Sequence, residues 1–242
     1  MRRLGTYALL GGGDPLRGET RKTEEHLLHL SGGKALFVVP QALQAEADAW
    51  SEIYKSLGAR EVRVLVLKRR EQAQDVAVAE TIAGSPLVLL AAEDAARFLS
   101  LVAGTRLVEA LATAYLRGGI VAALGGVAGV LGAAAPLVRQ GRLTARYGLG
   151  LLPGLAILPE FEQAGRFGLL TQLVVGNPDL LGLGIEAQSA VLVDFEGNAR
   201  VIAGQVTVLD AAESQIYRRS VRGLRVDVLG EGETFKVPVY HA

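Results

Sequence analysis

The chain has 242 residues, half of them hydrophobic and 21% charged, which supports a sizeable core and excludes a disordered protein. Lysine plus arginine number 25, as do aspartate plus glutamate, so no net field draws the chain toward nucleic acid or anionic lipid. Cysteine is absent, which excludes disulfides, thiolate metal sites and a cysteine nucleophile.

Short β-type runs alternate with helical patterns through the first two-thirds. Strands are predicted at Thr6–Leu10, Ala35–Pro40, Glu61–Leu67, Pro86–Ala91 and Gly119–Leu124. The start, MRRLGTYALLGGGD, carries too short an apolar run for a signal peptide, so the cytoplasm is the expected location. GGGD (Gly11–Asp14) follows the first strand, but it lacks the third glycine of a dinucleotide fingerprint and the lysine of a P-loop. A tight turn is the expected outcome there. TRKTEEHLLHLSGG reads as a helix closed by a glycine cap. On it His26 and His29 have metal-pair spacing without an evident third ligand, and His241 stands one residue from the end. ALQAEADAWSEIYKSLG is a second helix, with Leu43, Ala47, Trp50, Tyr54 and Leu57 on one face. AEDAARFLSLV and TRLVEALATAYLRGG supply two more.

Gly118 to Val138 is a run of 21 residues without a charge, long enough to cross a bilayer. Its six glycines and Pro136 argue instead for a strand buried on both faces, followed by a buried helix. No membrane is expected. After Gly150 the pattern shifts to one helix, FEQAGRFGLLTQLVVG, and then to SAVLVDFEGNARVIAGQVTVLD, where a turn joins two strands and a third follows. The tail, LRVDVLGEGETFKVPVY, reads as a further hairpin. The expected fold is one α/β domain over residues 1–242: a mostly parallel sheet with helices on both faces and an antiparallel C-terminal extension.

Two blocks carry a resemblance. GTRLVEALATAYLRGGIVAALGGVAGVL is similar to a G-T-x-x-x-x-A-L helix, a hydrophobic strand and a G-T-S-A-G-A turn. FEQAGRFGLLTQLVVGNPDLLGLGIEAQSA is similar to H-F-x-x-R-G-R-x-G-R-L, x-P and L-G-x-G-I-D-E-x-T-A. Its matching landmarks are Phe161, Gly165, Arg166, Gly168, Leu170, Pro178, Gly182, Gly184, Ile185 and Ala190. These motifs resemble those of the cyanophycinase and peptidase E (α-aspartyl dipeptidase) group of serine peptidases. The resemblance implies a class I glutamine amidotransferase-like, flavodoxin-like fold, a homodimer, and a serine–histidine–acid triad acting on amide bonds.

Laid over those motifs, the chemical positions have changed. The serine falls at Gly125 when counted from Gly118. It falls at Val127 when GGVAGV is matched to the turn with more identities, which is the preferred register; Gly126 lies between. Glu160 replaces the histidine and Ala187 the acid, with Glu186 before it. The family's glutamine loop becomes AAEDA, placing Ala95 at the glutamine and Asp94 beside it. Ala164 replaces the first arginine while Arg166 remains. Losing a nucleophile or its base costs on the order of a million-fold in rate. A cyanophycinase-like protein without serine-peptidase activity is therefore expected, with no metal or cofactor. Glu160, Arg166 and Asp94 are its candidate contacts for a small peptide or cationic ligand, unless apolar side chains have filled the pocket. Two other readings stand beside it. One is a hydrolase rebuilt around a Glu160–Glu186 carboxylate pair. The other is a structural subunit that assembles through its apolar tail strands.

Overall fold

All five early strands form, close to their predicted limits. In chain order the elements begin with β1 (Thr6–Leu10), α1 (Arg21–Leu30), β2 (Lys34–Pro40), α2 (Gln44–Ser56) and β3 (Glu61–Leu67). They continue with α3 (Arg70–Ala73), α4 (Val76–Ala83), β4 (Leu87–Leu90), α5 (Ala95–Val102), α6 (Arg106–Leu116) and β5 (Ile120–Leu124). A one-turn α7 (Gly126–Val130) leads to β6 (Gly132–Arg139), β7 (Arg142–Tyr147), β8 (Leu152–Pro159), α8 (Arg166–Gly176) and β9 (Leu181–Ile185). The chain then runs through β10 (Ala190–Asp194), β11 (Asn198–Ala203), β12 (Gln205–Asp210), β13 (Gln215–Tyr217), β14 (Ser220–Arg222), β15 (Arg225–Gly230) and β16 (Thr234–Lys236). The computed structural model describes residues 5–139, 142–217 and 220–238, so His241 and the first residues of the chain lie outside them.

The larger sheet runs β16-β11-β10-β1-β5-β4-β2-β3, parallel from β1 to β3 and antiparallel from β1 out to β16. Its central strands read as unbroken apolar runs because both of their faces are covered. Tyr7, Leu9, Leu36, Val38, Val88, Leu90, Val121 and Ala123 face one core, with α5 and α6 packed on it. The alternate residues Ala8, Leu10, Phe37, Val39, Leu87, Leu89 and Ala122 face a second core closed by α1 and α2. Helix starts follow their sequence signals: Asp75 caps α4 through the Ala77 N–H, and Asp94 caps α5 through the N–H groups of Ala96 and Arg97. This is a flavodoxin-like α/β arrangement.

The sequence did not reveal a second sheet. It is six-stranded, ordered β15-β12-β9-β8-β6-β7, with β6, β8 and β9 parallel. One face joins the first core through Leu155, Ile157, Leu183, Ile185, Val206 and Val208, and the other packs on α8. The motif LGLGI shows why. Leu181, Leu183 and Ile185 point to the core, while Gly182 and Gly184 face α8 and the Phe161 ring. A Cβ on Gly184 would stand 2.4 Å from that ring. The family landmarks Phe161, Leu170, Gly182 and Gly184 are thus largely a packing signature.

Three expectations need correction. The tail is not a hairpin: β15 pairs with β12 in the smaller sheet and β16 with β11 in the larger one. The third strand of that segment, β12, also leaves its neighbours, because Gly204 (φ 65°) turns the chain out of β11 and into the second sheet. The uncharged run Gly118–Val138 becomes β5, α7 and β6: the expected buried strand and buried helix form, but the helix is a single turn and a second strand follows it. Among the described residues no single helix is long and apolar enough to cross a membrane; only α5 and α6 together reach that length, and they meet at a 93° bend.

Candidate functional site

A cleft of about 560 Å³ opens at the C-terminal ends of β1, β4 and β5, where ligands gather in open α/β sheets. Gly12 and Gly13 of the GGGD segment, Asp94 and Ala95 before and at the start of α5, and Gly125 and Gly126 at the end of β5 all line it. Trp50 of α2 forms an aromatic wall, and Glu160 and Arg166 complete the rim. The pocket has not filled: Val127 turns into the core, and the alanines and glycines that line the cleft are too small to close it.

Gly125 occupies the crest of the bend. Its backbone sits at φ 58°, ψ −134°, its N–H donates to Leu10 O at 2.9 Å, and no atom lies within 4 Å of where a Cβ would stand. That amide is thus already paired, and any oxygen carried at this position would project into open space. Val127, the register preferred from motif identities, is fully buried in the core with Ala128 and Val130. It does not reach the cleft. Gly126 has its Cβ direction toward the Ala95 methyl at 3.1 Å, so the small residue at 95 closes that side of the pocket.

Glu160 follows β8 at φ 50°, a left-handed conformation that non-glycine residues rarely adopt and that costs about 1–3 kcal/mol. Flanking backbone bonds impose it. Its N–H donates to Gly11 O at 3.0 Å, and the next N–H, of Phe161, donates to Ile185 O at 3.1 Å. The carboxylate turns over the cleft and accepts from Arg166 Nη2 at 3.2 Å and from Gln163 Nε2 at 3.0 Å. Arg166 opens α8 and also donates to Gln163 Oε1 at 2.8 Å. Because the pair is partly exposed, Arg166→Ala is expected to cost under about 1 kcal/mol in thermal unfolding. A larger loss would show that Arg166 holds α8 in place rather than merely restraining Glu160.

The remaining candidates separate. Glu186 and Ala187 do not line the cleft, and the Ala187 N–H donates to Glu162 Oε2 at 2.9 Å. The proposed Glu160–Glu186 pair is therefore not assembled in this pocket. Among the described residues no group of three or more histidines, aspartates and glutamates is placed to hold a metal. His26 and His29 are exposed on α1 outside the cleft. GGGD is an irregular segment rather than a tight turn; the turn comes just after it, at Pro15–Arg17, where the Asp14 carboxylate accepts from the Leu16 N–H, and Gly12 floors the cleft beneath Glu160. Sequence reasoning missed Trp50, Glu93 and Leu137 as cleft residues. Only Trp50 carried a usable signal, as the single tryptophan of the chain on the apolar face of α2.

No family model matches the chain. Its relatives are nonetheless consistent. It is 23% identical to the cyanophycinase of Geminocystis herdmanii over 96% of this chain and 94% of that one. It is 25% identical to the cyanophycinase of Synechococcus elongatus over 95% and 78%, and 24% identical to that of Trichormus variabilis over 82% and 74%. The fold agrees with a peptidase from an acI-B1 actinobacterium: TM-score 0.72, 19% identity, 97% of this chain and 98% of that one. Over most of its length the chain is similar to cyanophycinases, and its fold is that of a peptidase E-type protein. A peptidase E-type protein of Listeria monocytogenes superposes with a TM-score of 0.53 at 14% identity, over 82% of this chain and 98% of that one. Within this cyanophycinase-like frame the cleft stands at the end of the sheet, while the described residues lining it include no serine, threonine, tyrosine or histidine.

Proposed function

We propose that this chain is a cyanophycinase-like protein without serine-peptidase activity, whose retained cleft binds a ligand rather than cleaving it. One observation carries the reading: the crest of the bend is Gly125, which has no side chain, and among the described residues no hydroxyl from elsewhere lines the pocket to replace one. In this proposal Gly125, not Val127, stands at the family's nucleophile position, Glu160 at the histidine and Ala187 at the acid. Acyl transfer needs an attacking oxygen and a base able to take and return its proton. A glycine supplies neither, and Glu160 is engaged by Arg166. The ligand is a small peptide with a cationic group, because among the described residues Glu93, Asp94 and Glu160 line the cleft against one cation, Arg166.

Purified protein is expected to release no product from β-aspartyl dipeptides or cyanophycin above the buffer blank, and to remain unlabelled by a fluorophosphonate. Turnover that disappears in Glu160→Gln would overturn the proposal. Register has its own test. Gly125→Ser is expected to lose about 1–3 kcal/mol, because a side chain takes on the unfavourable backbone angles. Val127→Ser loses a similar amount for another reason, a buried hydroxyl in an apolar core, and places no reactive oxygen in the cleft. In a Glu160→His background only the serine at 125 should take up the fluorophosphonate.

Assembly is a second reading with its own support. Val226 and Val228 of the edge strand β15 are 41% and 57% exposed, and Ile216 and Tyr217 of β13 are exposed with them. A homodimer closing over these residues would show in light scattering as twice the chain mass, and a monomer at high concentration would count against it.

A further inference from the structure

Under the cleft wall, between α1, α2 and the larger sheet, lies a polar knot that the proposed chemistry does not use. Glu24 is 2% exposed, and its Oε1 accepts from Thr20 Oγ1 at 3.0 Å. Its other oxygen, Oε2, is buried without a partner, as are Trp50 Nε1 and Tyr54 Oη. All three side chains line one small cavity of about 10 Å³, room for a single water. Burying three unsatisfied polar atoms costs roughly 1–3 kcal/mol each. One water removes most of that cost by accepting from the indole N–H, donating to the carboxylate and sharing a hydrogen bond with the phenol.

Trp50 lines both this cavity and the cleft. Phe37 fixes the other side of the group, with ring centroids 6.0 Å from Trp50 and 4.9 Å from Tyr54. We infer that Glu24 is a positioning residue for the cleft: through one buried water it sets the indole of Trp50, the aromatic wall against which a ligand packs. The inference deepens the binding role proposed above and rests on the cleft being the working site.

Burial pushes the Glu24 carboxyl up from 4.5 to about 7, opposed by the Thr20 hydrogen bond, raised further by Glu25 and lowered by Arg21. Tyr54, on α2, is the other titratable group at the cavity, and its phenol is held neutral by burial and by Glu24. The strands closing the cavity present only Leu10, Phe37, Leu89 and Leu124. Around neutral pH the acid therefore changes from hydrogen-bond donor to pure acceptor. The water turns over with it, and so does its grip on the indole N–H.

Trp50 is the single tryptophan, so intrinsic fluorescence reads it without a label. In the full chain, emission maximum and acrylamide quenching are expected to change sigmoidally between pH 5 and 9 with a midpoint near 7. Glu24→Gln should abolish the transition, Tyr54→Phe should alter its amplitude, and His26→Gln and His29→Gln should leave it intact. Circular dichroism at each pH confirms that the fold is constant. A flat profile in the unmodified chain, or the same transition in Glu24→Gln, would overturn the inference. Because the readout needs no ligand, its failure leaves the binding role standing, and failure of that role leaves the fluorescence result intact.

Discussion

Gly184→Ala is expected to destabilise the protein by about 3 kcal/mol, lowering Tm by about 10 °C, a large effect for one methyl group. The added carbon would stand 2.4–2.6 Å from three atoms of the Phe161 ring, which is buried and cannot swing away. Relief requires β9 and the Glu160–Phe161 turn to part, and that turn holds Glu160 over the cleft. Phe161→Leu, mild by itself, should therefore recover part of the loss in the double variant, a coupling that a purely local strain would not show. Gly168, another landmark of the same motif, should behave in the opposite way. It lies inside α8 with nothing within 4 Å of its Cβ direction, so Gly168→Ala is expected to be neutral or to stabilise by up to about 1 kcal/mol. Thermal melts of the two variants side by side decide the matter, and a Gly184→Ala protein that melts like its parent would refute the packing account.

The second large effect is a pH-dependent gain. The Glu24 carboxyl rises from 4.5 in the unfolded chain to about 7 in the fold, so the native state holds a proton that the unfolded state gives up in that window. Stability therefore falls as pH climbs from about 4.5 to 7 and stays low above it, by about 3 kcal/mol at full ionisation. Glu24→Gln keeps an oxygen for the Thr20 hydroxyl and removes the charge. Its unfolding free energy should match the parent near pH 4.5 and exceed it by a few kcal/mol at pH 8. Urea unfolding at the two pH values reads this directly, and an equal difference at both would mean the gain is not ionisation.

The two effects mark where sequence reading succeeds and where it stops. The landmarks Phe161, Gly182 and Gly184 were legible as a family pattern, but their reason was not, because the alternation of LGLGI reads equally as a strand and as a glycine-rich loop. Glu24 was legible only as one acid on an amphipathic helix. Nothing local says that Thr20, Trp50 and Tyr54 enclose it, since those side chains come from two helices and meet only when both pack on β2.

From the amino-acid order alone came the parallel strands, the helices on both faces, and the expectation that serine, histidine and acid are missing from the places where the motifs would put them. These follow from periodicity and side-chain chemistry, which act over a few residues at a time. Which residue crests the bend was decided in three dimensions. Motif identities favoured Val127, whereas β5 ends at Leu124 in register with Leu10 and places Gly125 on the turn, with the valine directed into the core. The second sheet, the split of β15 and β16 between two sheets, and the Glu160–Arg166 pair arose the same way. Each depends on contacts between segments far apart in the chain or joined by a left-handed turn, and such contacts are settled by packing rather than by any short stretch of sequence.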